Sequence, residues 1–377
     1  MKTQICLVSA QAAANLLSAL DPDLKPQKVV LVVSPKMKTQ ANNLRSVLRE
    51  GGLQVALQEL ADEHDFSKIE NDLLQLAGSL EQDEVSLNIT GGTKLMSVAA
   101  QSIANLHEWR MFYVDADTDQ VIWLGRDKTP PHPLKEYLRL PHYLKAYGFD
   151  LPEPSKVPSL TQVQQNLIQT LIKQISSMES ALAKLNWLAQ QAEDKHQLDI
   201  VMDKSQQDDR NLEPLLRNFN DAGMLRIENN RIHFASEEAR DFVKGGWLEN
   251  HVFQAVTSLT QNLGIRDKSI NLQIEDAQKV RNEQDVVFLA RNRLFIIECK
   301  TARMSNPKTP KANDTLFKLS ENCRRIGGLG TRGLLVSYRK LREPELRLAK
   351  ALNIEVVTGA DITRLPEKLK HWVRFGT

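Results

Sequence analysis

Asn282-Glu283-Gln284-Asp285-Val286, followed by Leu294-Phe295-Ile296-Ile297-Glu298-Cys299-Lys300-Thr301, sets the class of the C-terminal third of this chain. Leu294 to Ile297 is an apolar strand that ends in Glu-Cys-Lys. Side chains alternate across a strand with period two. Glu298 and Lys300 therefore share the face of Leu294 and Ile296, and Ile297 and Cys299 share the other. A strand shaped only by burial does not end in this way. Asp285 opens the adjoining strand, Asp285 to Leu289, so hairpin pairing brings its carboxylate beside Glu298. Two carboxylates at neighbouring strand ends can hold a hard divalent cation through oxygen. Such a cation acidifies a bound water and offsets charge on a scissile phosphate, and Lys300 can orient that water. Glu249, on the helix predicted from Leu248 to Leu263, can complete the shell. The plain alternative is a surface ion pair of Glu298 with Lys300. By parity Cys299 is a small buried hydrophobe. His251 reads as packing or surface, and the eight histidines make no zinc spacing.

The Glu249 helix, the run Asn-Glu-x-Asp-Val and the run Ile-Ile-Glu-Cys-Lys-Thr together resemble the PD-(D/E)XK restriction-endonuclease-like nuclease fold. The resemblance gives Asp285, Glu298 and Lys300 the motif positions, with Gln284 where the proline would stand. Further strands are expected at Ile270 to Ile274, Gly333 to Val336 and Ile354 to Val357. Helices are expected at Asp314 to Ile326 and Pro344 to Leu352.

The N-terminal part, to about residue 150, alternates continuous apolar strands (Ile5 to Val8, Val29 to Val33, Gln54 to Leu57, Val85 to Ile89) with helices. That pattern predicts a parallel sheet covered on both faces, an α/β fold. Its distinctive loop is Asn88-Ile89-Thr90-Gly91-Gly92-Thr93-Lys94-Leu95-Met96, between a strand and a helix. Backbone N–H groups at a helix N-terminus, with glycines allowing close approach, suit a phosphate. Neither a Walker A nor a Gly-x-Gly-x-x-Gly run is present. The alternative is a tight turn with a Thr N-cap. Ser9-Ala10-Gln11 and Ser34-Pro35-Lys36-Met37 end two other strands, and ligands of open α/β sheets bind at such ends. This part resembles the CARF sensor domain, which implies dimerisation and a cyclic oligoadenylate held by Thr90–Lys94, Ser9–Gln11 and Ser34–Met37.

A proline-bearing linker (Pro152, Pro154, Pro158) leads into helices at Thr161 to Ile175, Ser180 to Ala192 and Leu212 to Ala222. A hairpin about Asn229-Asn230 follows. This winged-helix-like segment has only Arg217 as a base on its would-be recognition helix. A spacer or dimerisation module is therefore favoured over sequence-specific DNA reading. The expected organisation is a Rossmann-like sensor at 1–150, a winged-helix-like middle at 151–240 and a restriction-endonuclease-like nuclease at 241–377. That order resembles the CRISPR ancillary nucleases of type III systems. The resemblance implies a cytoplasmic homodimer, activated by cyclic tetra-adenylate, that uses manganese or magnesium to cut single-stranded RNA or DNA or to nick duplex DNA. Two other readings stay open: a ligand-responsive transcription regulator, and a repair or restriction nuclease without a second messenger.

Composition narrows the classes. Hydrophobic residues are 41% and charged residues 25% of 377, ordinary for a folded protein. Three cysteines are too few for a disulfide framework, and a reducing compartment follows. Lys2 to Leu20 imitates a signal peptide, but Gln11 and Asn15 interrupt it. No run approaches the ~20 apolar residues of a membrane span. The net charge of +2 conceals an asymmetry. From Ser236 onward there are 25 Lys+Arg against 17 Asp+Glu (+8), and the remainder has 24 against 30 (−6). Lys308, Lys311, Lys318, Arg324, Arg325, Arg332, Arg339, Lys340 and Arg342 belong to the basic end, where a nucleic-acid backbone would need them.

Overall fold

The structure, a computed structural model, describes residues 2–80, 84–115, 118–125, 129–135, 138–154, 157, 159–301 and 311–376. Pro158, Lys308, part of the turn after Val114 and the Lys311 side chain lie outside the described residues. Among the described residues no helix is long and apolar enough to cross a membrane.

The strands, in chain order, are β1 (Thr3–Leu7), β2 (Lys28–Val33), β3 (Gln54–Glu59), β4 (Val85–Asn88), β5 (Arg110–Asp115), β6 (Gln120–Leu124) and β7 (His132–Pro133). They continue with β8 (Phe149–Asp150), β9 (Asp199–Val201), β10 (Leu225–Glu228), β11 (Arg231–Phe234), β12 (Ile265–Asp276), β13 (Arg281–Ala290), β14 (Arg293–Lys300), β15 (Arg332–Ser337) and β16 (Ile354–Thr358). The first sheet runs β3-β2-β1-β4-β5-β6-β7, with β1 to β5 parallel and β6 and β7 antiparallel. Ile5 and Leu7 of β1 pack on one face with the helices Phe66–Gly78 and Lys94–Leu106. Cys6 and Val8 pack on the other with Ala13–Leu20 and Lys38–Glu50. Burial on both faces explains why these strands read as unbroken apolar runs.

The middle segment holds the helices Gln162–Lys173, Ile175–Asp194 and Leu212–Asp221 and the sheet β10-β11-β9. The hairpin turns at Asn229, whose φ of 56° is the left-handed conformation asparagine tolerates. The third strand, β9, has only three residues and is not marked by the sequence pattern.

The last sheet runs β16-β15-β14-β13-β12-β8. Two of its strands are longer than the sequence pattern predicts, because their outer halves carry polar residues: β12 starts at Ile265 and β13 at Arg281. Asp285 therefore sits mid-strand rather than at a strand start. The edge strand β8 comes from residues just before the linker, with Asp150 opposite Glu275. A single apolar cluster joins Leu16, Leu17, Val29 and Leu31 of the N-terminal part to Leu272, Leu289, Leu294, Ile296 and Leu316 of the C-terminal part. Tyr143 and Tyr147 stack at this junction with ring centroids 5.2 Å apart. The Tyr143 hydroxyl donates to the Gly327 carbonyl at 3.1 Å.

Candidate active site and ligand crevice

In the C-terminal part β13 and β14 pair antiparallel from Ala290↔Arg293 to Val286↔Ile297. Beyond that point β14 continues beside β15 and β13 continues only beside β12. Asp285 and Glu298 are the next residues on each strand, where the two diverge. The Asp285 carboxylate fills the gap, accepting the Cys299 N–H at 2.7 Å. Lys300 Nζ meets Glu298 Oε1 at 2.6 Å, as their shared parity requires. Cys299 is 6% exposed.

Glu249 reaches this point because its helix, Trp247–Ser258, is anchored at its start. Trp247 is fully buried edge-on to Tyr338, with ring centroids 5.6 Å apart. Just before it, a Cβ at Gly245 would lie 2.9 Å from Thr301 Oγ1, so glycine lets the chain press against the end of β14. Thr301 Oγ1 then donates to the Lys244 carbonyl at 3.0 Å.

The site is a concentration of negative charge in a poorly hydrated place. Burial, then Glu283, pushes the Glu249 carboxyl up to about 7. Burial and then Glu298 hold Asp285 well above the usual carboxylate range. For Lys300 burial opposes the charge, but Glu298 and Asp285 outweigh it and hold the ammonium above the usual lysine range. One lysine thus faces three carboxylates, a donor set that a divalent oxygen-loving cation would balance. The three carboxylates are not drawn to mutual ligand distance in this structure. Among the described residues the one trio with ligand atoms within 4.8 Å is Asp21, Asp23 and His132. Spacing in the sequence could not reveal that trio, since His132 stands 111 residues from Asp21. It is already satisfied by the fold: Asp21 accepts the N–H groups of Asp23 at 3.1 Å and Lys135 at 2.6 Å. Asn271, hydrogen-bonded to Glu249, is a further member of the site that the sequence reading missed. Its unusual φ of 49° was not visible in sequence.

The three loops of the N-terminal part end adjacent strands, β2, β1 and β4. Gly91 is obligatory there, because a Cβ would lie 2.1 Å from the Leu7 carbonyl oxygen. Gly92 has φ +75°. Thr93 caps the helix Lys94–Leu106 by accepting the Met96 N–H, and Lys94 is exposed beside it. Thr90 serves the fold: its hydroxyl donates to Asn88 Oδ1 (2.6 Å) and accepts the Val114 N–H (2.7 Å). Asn88 in turn donates to Asn15 and Ser18, a buried polar layer beneath the loop. Ser34 is buried, Pro35 exposed and Met37 partly buried. Lys36 pairs with Glu63 at 2.7 Å, so an incoming anion must compete for it. Ser9 Oγ accepts the Gln11 N–H at 3.2 Å, and Ala10 is exposed between them. Gln11 also reaches the C-terminal part: a Cβ on Gly328 would lie 2.7 Å from its Oε1.

The remaining thiols are inert by burial. Cys6 and Cys323 are each pushed up to about 12, chiefly by desolvation. A group raised in the folded state stabilises fully below its unfolded pKa, about 8.5, and that contribution is lost as pH rises toward 12. Native protein at pH 8 should therefore react at most slowly with iodoacetamide, and urea-unfolded protein should take up three equivalents. Rapid labelling of Cys6 in the native state would contradict the burial.

Comparison with known proteins fits both halves of this architecture. Residues 3–143 match the family model described as Card1 CARF domain, and residues 236–375 match Card1-like, endonuclease domain. The chain is a CARF–nuclease ancillary protein. The crystal structure of protein VC1899 from Vibrio cholerae is similar over 100% of this chain and 99% of that one, at 25% identity and a TM-score of 0.89. Can2 from Sulfobacillus thermosulfidooxidans, solved in complex with cyclic tetra-adenylate, is similar over 99% of each chain at 23% identity and TM-score 0.84. A type III CRISPR defence DNA nuclease activated by cyclic oligoadenylate shares the fold over 89% of this chain and 45% of its own, at 17% identity and TM-score 0.57. No curated protein matches the chain.

Proposed function

We propose that this chain is a metal-dependent nuclease of the PD-(D/E)XK type, switched on by cyclic tetra-adenylate in type III CRISPR antiviral defence. The observation that carries the chemistry is the junction where β13 and β14 part. There Asp285, Glu298 and Glu249 surround the Lys300 ammonium. Asp285, Glu298 and Glu249 would hold manganese or magnesium. When bound, that cation supplies a water of lowered pKa and stabilises negative charge on the scissile phosphate. Lys300, held protonated by its carboxylate neighbours, offsets charge developing on the phosphate and orients the attacking water. The Cys299 N–H fixes Asp285 so that its second oxygen can face the site.

Activation is read from the CARF domain. Ser9, Ala10, Gln11, Ser34, Pro35, Lys36, Met37, Thr90, Gly91, Gly92, Thr93 and Lys94 form the crevice for the cyclic ligand. Gly91, Gly92, Thr93 and Lys94 offer it helix N–H groups and a cation. Gln11 and Thr90 act through the fold as much as through the ligand. The contact of Gln11 with Gly328 carries a change in the crevice to the nuclease half. Ligand binding can shift the enzyme only by its preference for one of two arrangements. The three free, buried thiols suit a reducing cytoplasm.

The enzyme is a homodimer in this reading. Leu95, Val98 and Leu106, on one face of the helix Lys94–Leu106 that starts at the crevice, are 42%, 55% and 68% exposed. A second copy covering that stripe would place two crevices together. Val98→Asp with Leu106→Asp should shift sedimentation from dimer to monomer and abolish activation. A double variant that remains dimeric would remove this helix from the interface.

The test of the function is one assay. Labelled single-stranded RNA, single-stranded DNA and supercoiled plasmid are incubated with manganese, with and without cyclic tri-, tetra- and hexa-adenylate. Metal-dependent cutting that appears only with the tetramer supports the proposal. Cutting indifferent to every ring favours a repair or restriction nuclease. Promoter binding without metal and without cutting favours a regulator.

A further inference from the structure

The middle segment is more than a spacer. The helix Ile175–Asp194 buries Leu182, Leu185, Leu188 and Ala189 in the core it shares with the nuclease half. Its opposite face carries Ala183, Trp187 and Gln190 at helical spacing, and these line one cleft of about 1820 Å³ together with Glu249, Lys300 and Thr301. Trp187 is 54% exposed there. An indole is costly to leave in water, and among the described residues none covers it fully. The adjoining Asn186 is 6% exposed, lines the same cleft, and among the described residues finds no partner for either side-chain amide atom.

The wall is fixed with respect to the carboxylates. At the start of the helix the Tyr338 hydroxyl donates to the Ile175 carbonyl at 2.8 Å. At its end Lys244 Nζ donates to both oxygens of Glu193 at 2.7 Å, and Lys244 lies just before the Glu249 helix. Among the described residues the cations of the cleft are largely spent inside the fold. Lys184 pairs with Asp209, Lys244 with Glu193, and Arg339 with Glu179. Glu153, Glu238, Asp241 and Glu283 also line it. This is a poor surface for a stiff, densely charged duplex and a good one for a base presented by its flat face. Stacking on an aromatic ring is the sequence-tolerant way to hold a single strand.

We propose that Trp187 stacks an unpaired base of the strand being cut, so that the middle segment is one wall of the substrate cleft. This rests on the assignment of Glu249 and Lys300 to the nuclease site. The test compares Trp187→Ala and Trp187→Phe in the full-length protein with metal and activator, on labelled single-stranded DNA and, separately, single-stranded RNA. Trp187→Ala should raise KM about 5- to 150-fold, the equivalent of about 1–3 kcal/mol for one stacked base, with kcat within about twofold. Trp187→Phe should recover most of the loss. The salt dependence of KM should be shallow, since few phosphate contacts are involved. An unchanged KM for Trp187→Ala on both strands would overturn the proposal. So would equal losses in the Ala and Phe variants, or a preference for duplex over single strand that the substitution leaves intact. Binding of uncut oligothymidylate in EDTA, read by the tryptophan emission missing from Trp187→Phe, needs no cleavage. Quenching of that emission supports the platform even in an inactive nuclease, and its absence overturns it.

Discussion

Glu298→Ala should lower metal-dependent cleavage by about 10²–10³-fold or more while the affinity for the cyclic activator stays within about twofold. The first figure is what removal of one charge-stabilising group costs a hydrolytic site. Here the loss is compounded. Glu298 is the ion-pair partner of Lys300 at 2.6 Å and follows Ile297 where β14 parts from β13. Without it the ammonium would no longer be held in place, and a bound cation would lack one carboxylate oxygen. Lys300→Ala should match it, because the buried Asp285 and the partly buried Glu249 and Glu298 would then lack their cation. Asp285→Asn is the milder case: an amide oxygen can still accept the Cys299 N–H, so the strand junction survives and mainly cation affinity falls. Cleavage time courses and calorimetric titration of the activator measure the two quantities. Cutting at the wild-type rate by Glu298→Ala would sink the site assignment.

Lys94→Ala should raise the activator concentration needed for half-maximal cleavage by about 10-fold or more, with cleavage at saturating activator close to wild type. A hydrogen bond to a charged group contributes about 1.5–3 kcal/mol, and a dimer would supply two such lysines to one ligand. Lys94 is exposed at the start of its helix, so its loss should leave the fold intact. Gly91→Ala is expected to act differently, since its methyl would press on the Leu7 carbonyl and displace the whole loop. Thermal unfolding separates the two variants, with only Gly91→Ala lowering Tm. An activation curve for Lys94→Ala that superimposes on wild type would take the lysine out of the crevice.

The part of the site that follows from strand periodicity was readable in advance. Glu298 and Lys300 share a face because side chains alternate, and hairpin pairing brings Asp285 to the same end of the strands, where they diverge and the Cys299 N–H holds it. What could not be read depends on contacts distant in sequence. Asn271 approaches Glu249 only through the fold of β12. Thr90 reads as a ligand hydroxyl, yet Val114 and Asn88 engage it on both sides. Trp187 looks like any helix aromatic until the described residues show it 54% exposed on the cleft. Polar outer halves hid the true lengths of β12 and β13, since pairing and not burial keeps those residues extended. The C-terminal helix Leu365–Phe375 did carry a signal, in Leu365, Leu369, Trp372 and Val373 at helical spacing.

The apolar cluster from Leu16 and Leu31 through to Leu294 and Leu316 also limits how such a protein can be remodelled. Separating the halves near residue 150 would strip an edge strand from one sheet and leave both fragments with a bare greasy face, an invitation to aggregate. Exchange of one half for an unrelated sensor or hydrolase would require both faces to be rebuilt at once. Variation is therefore cheapest in the crevice loops and on the cleft wall, where a substitution can alter what is sensed or what is cut without disturbing the seam.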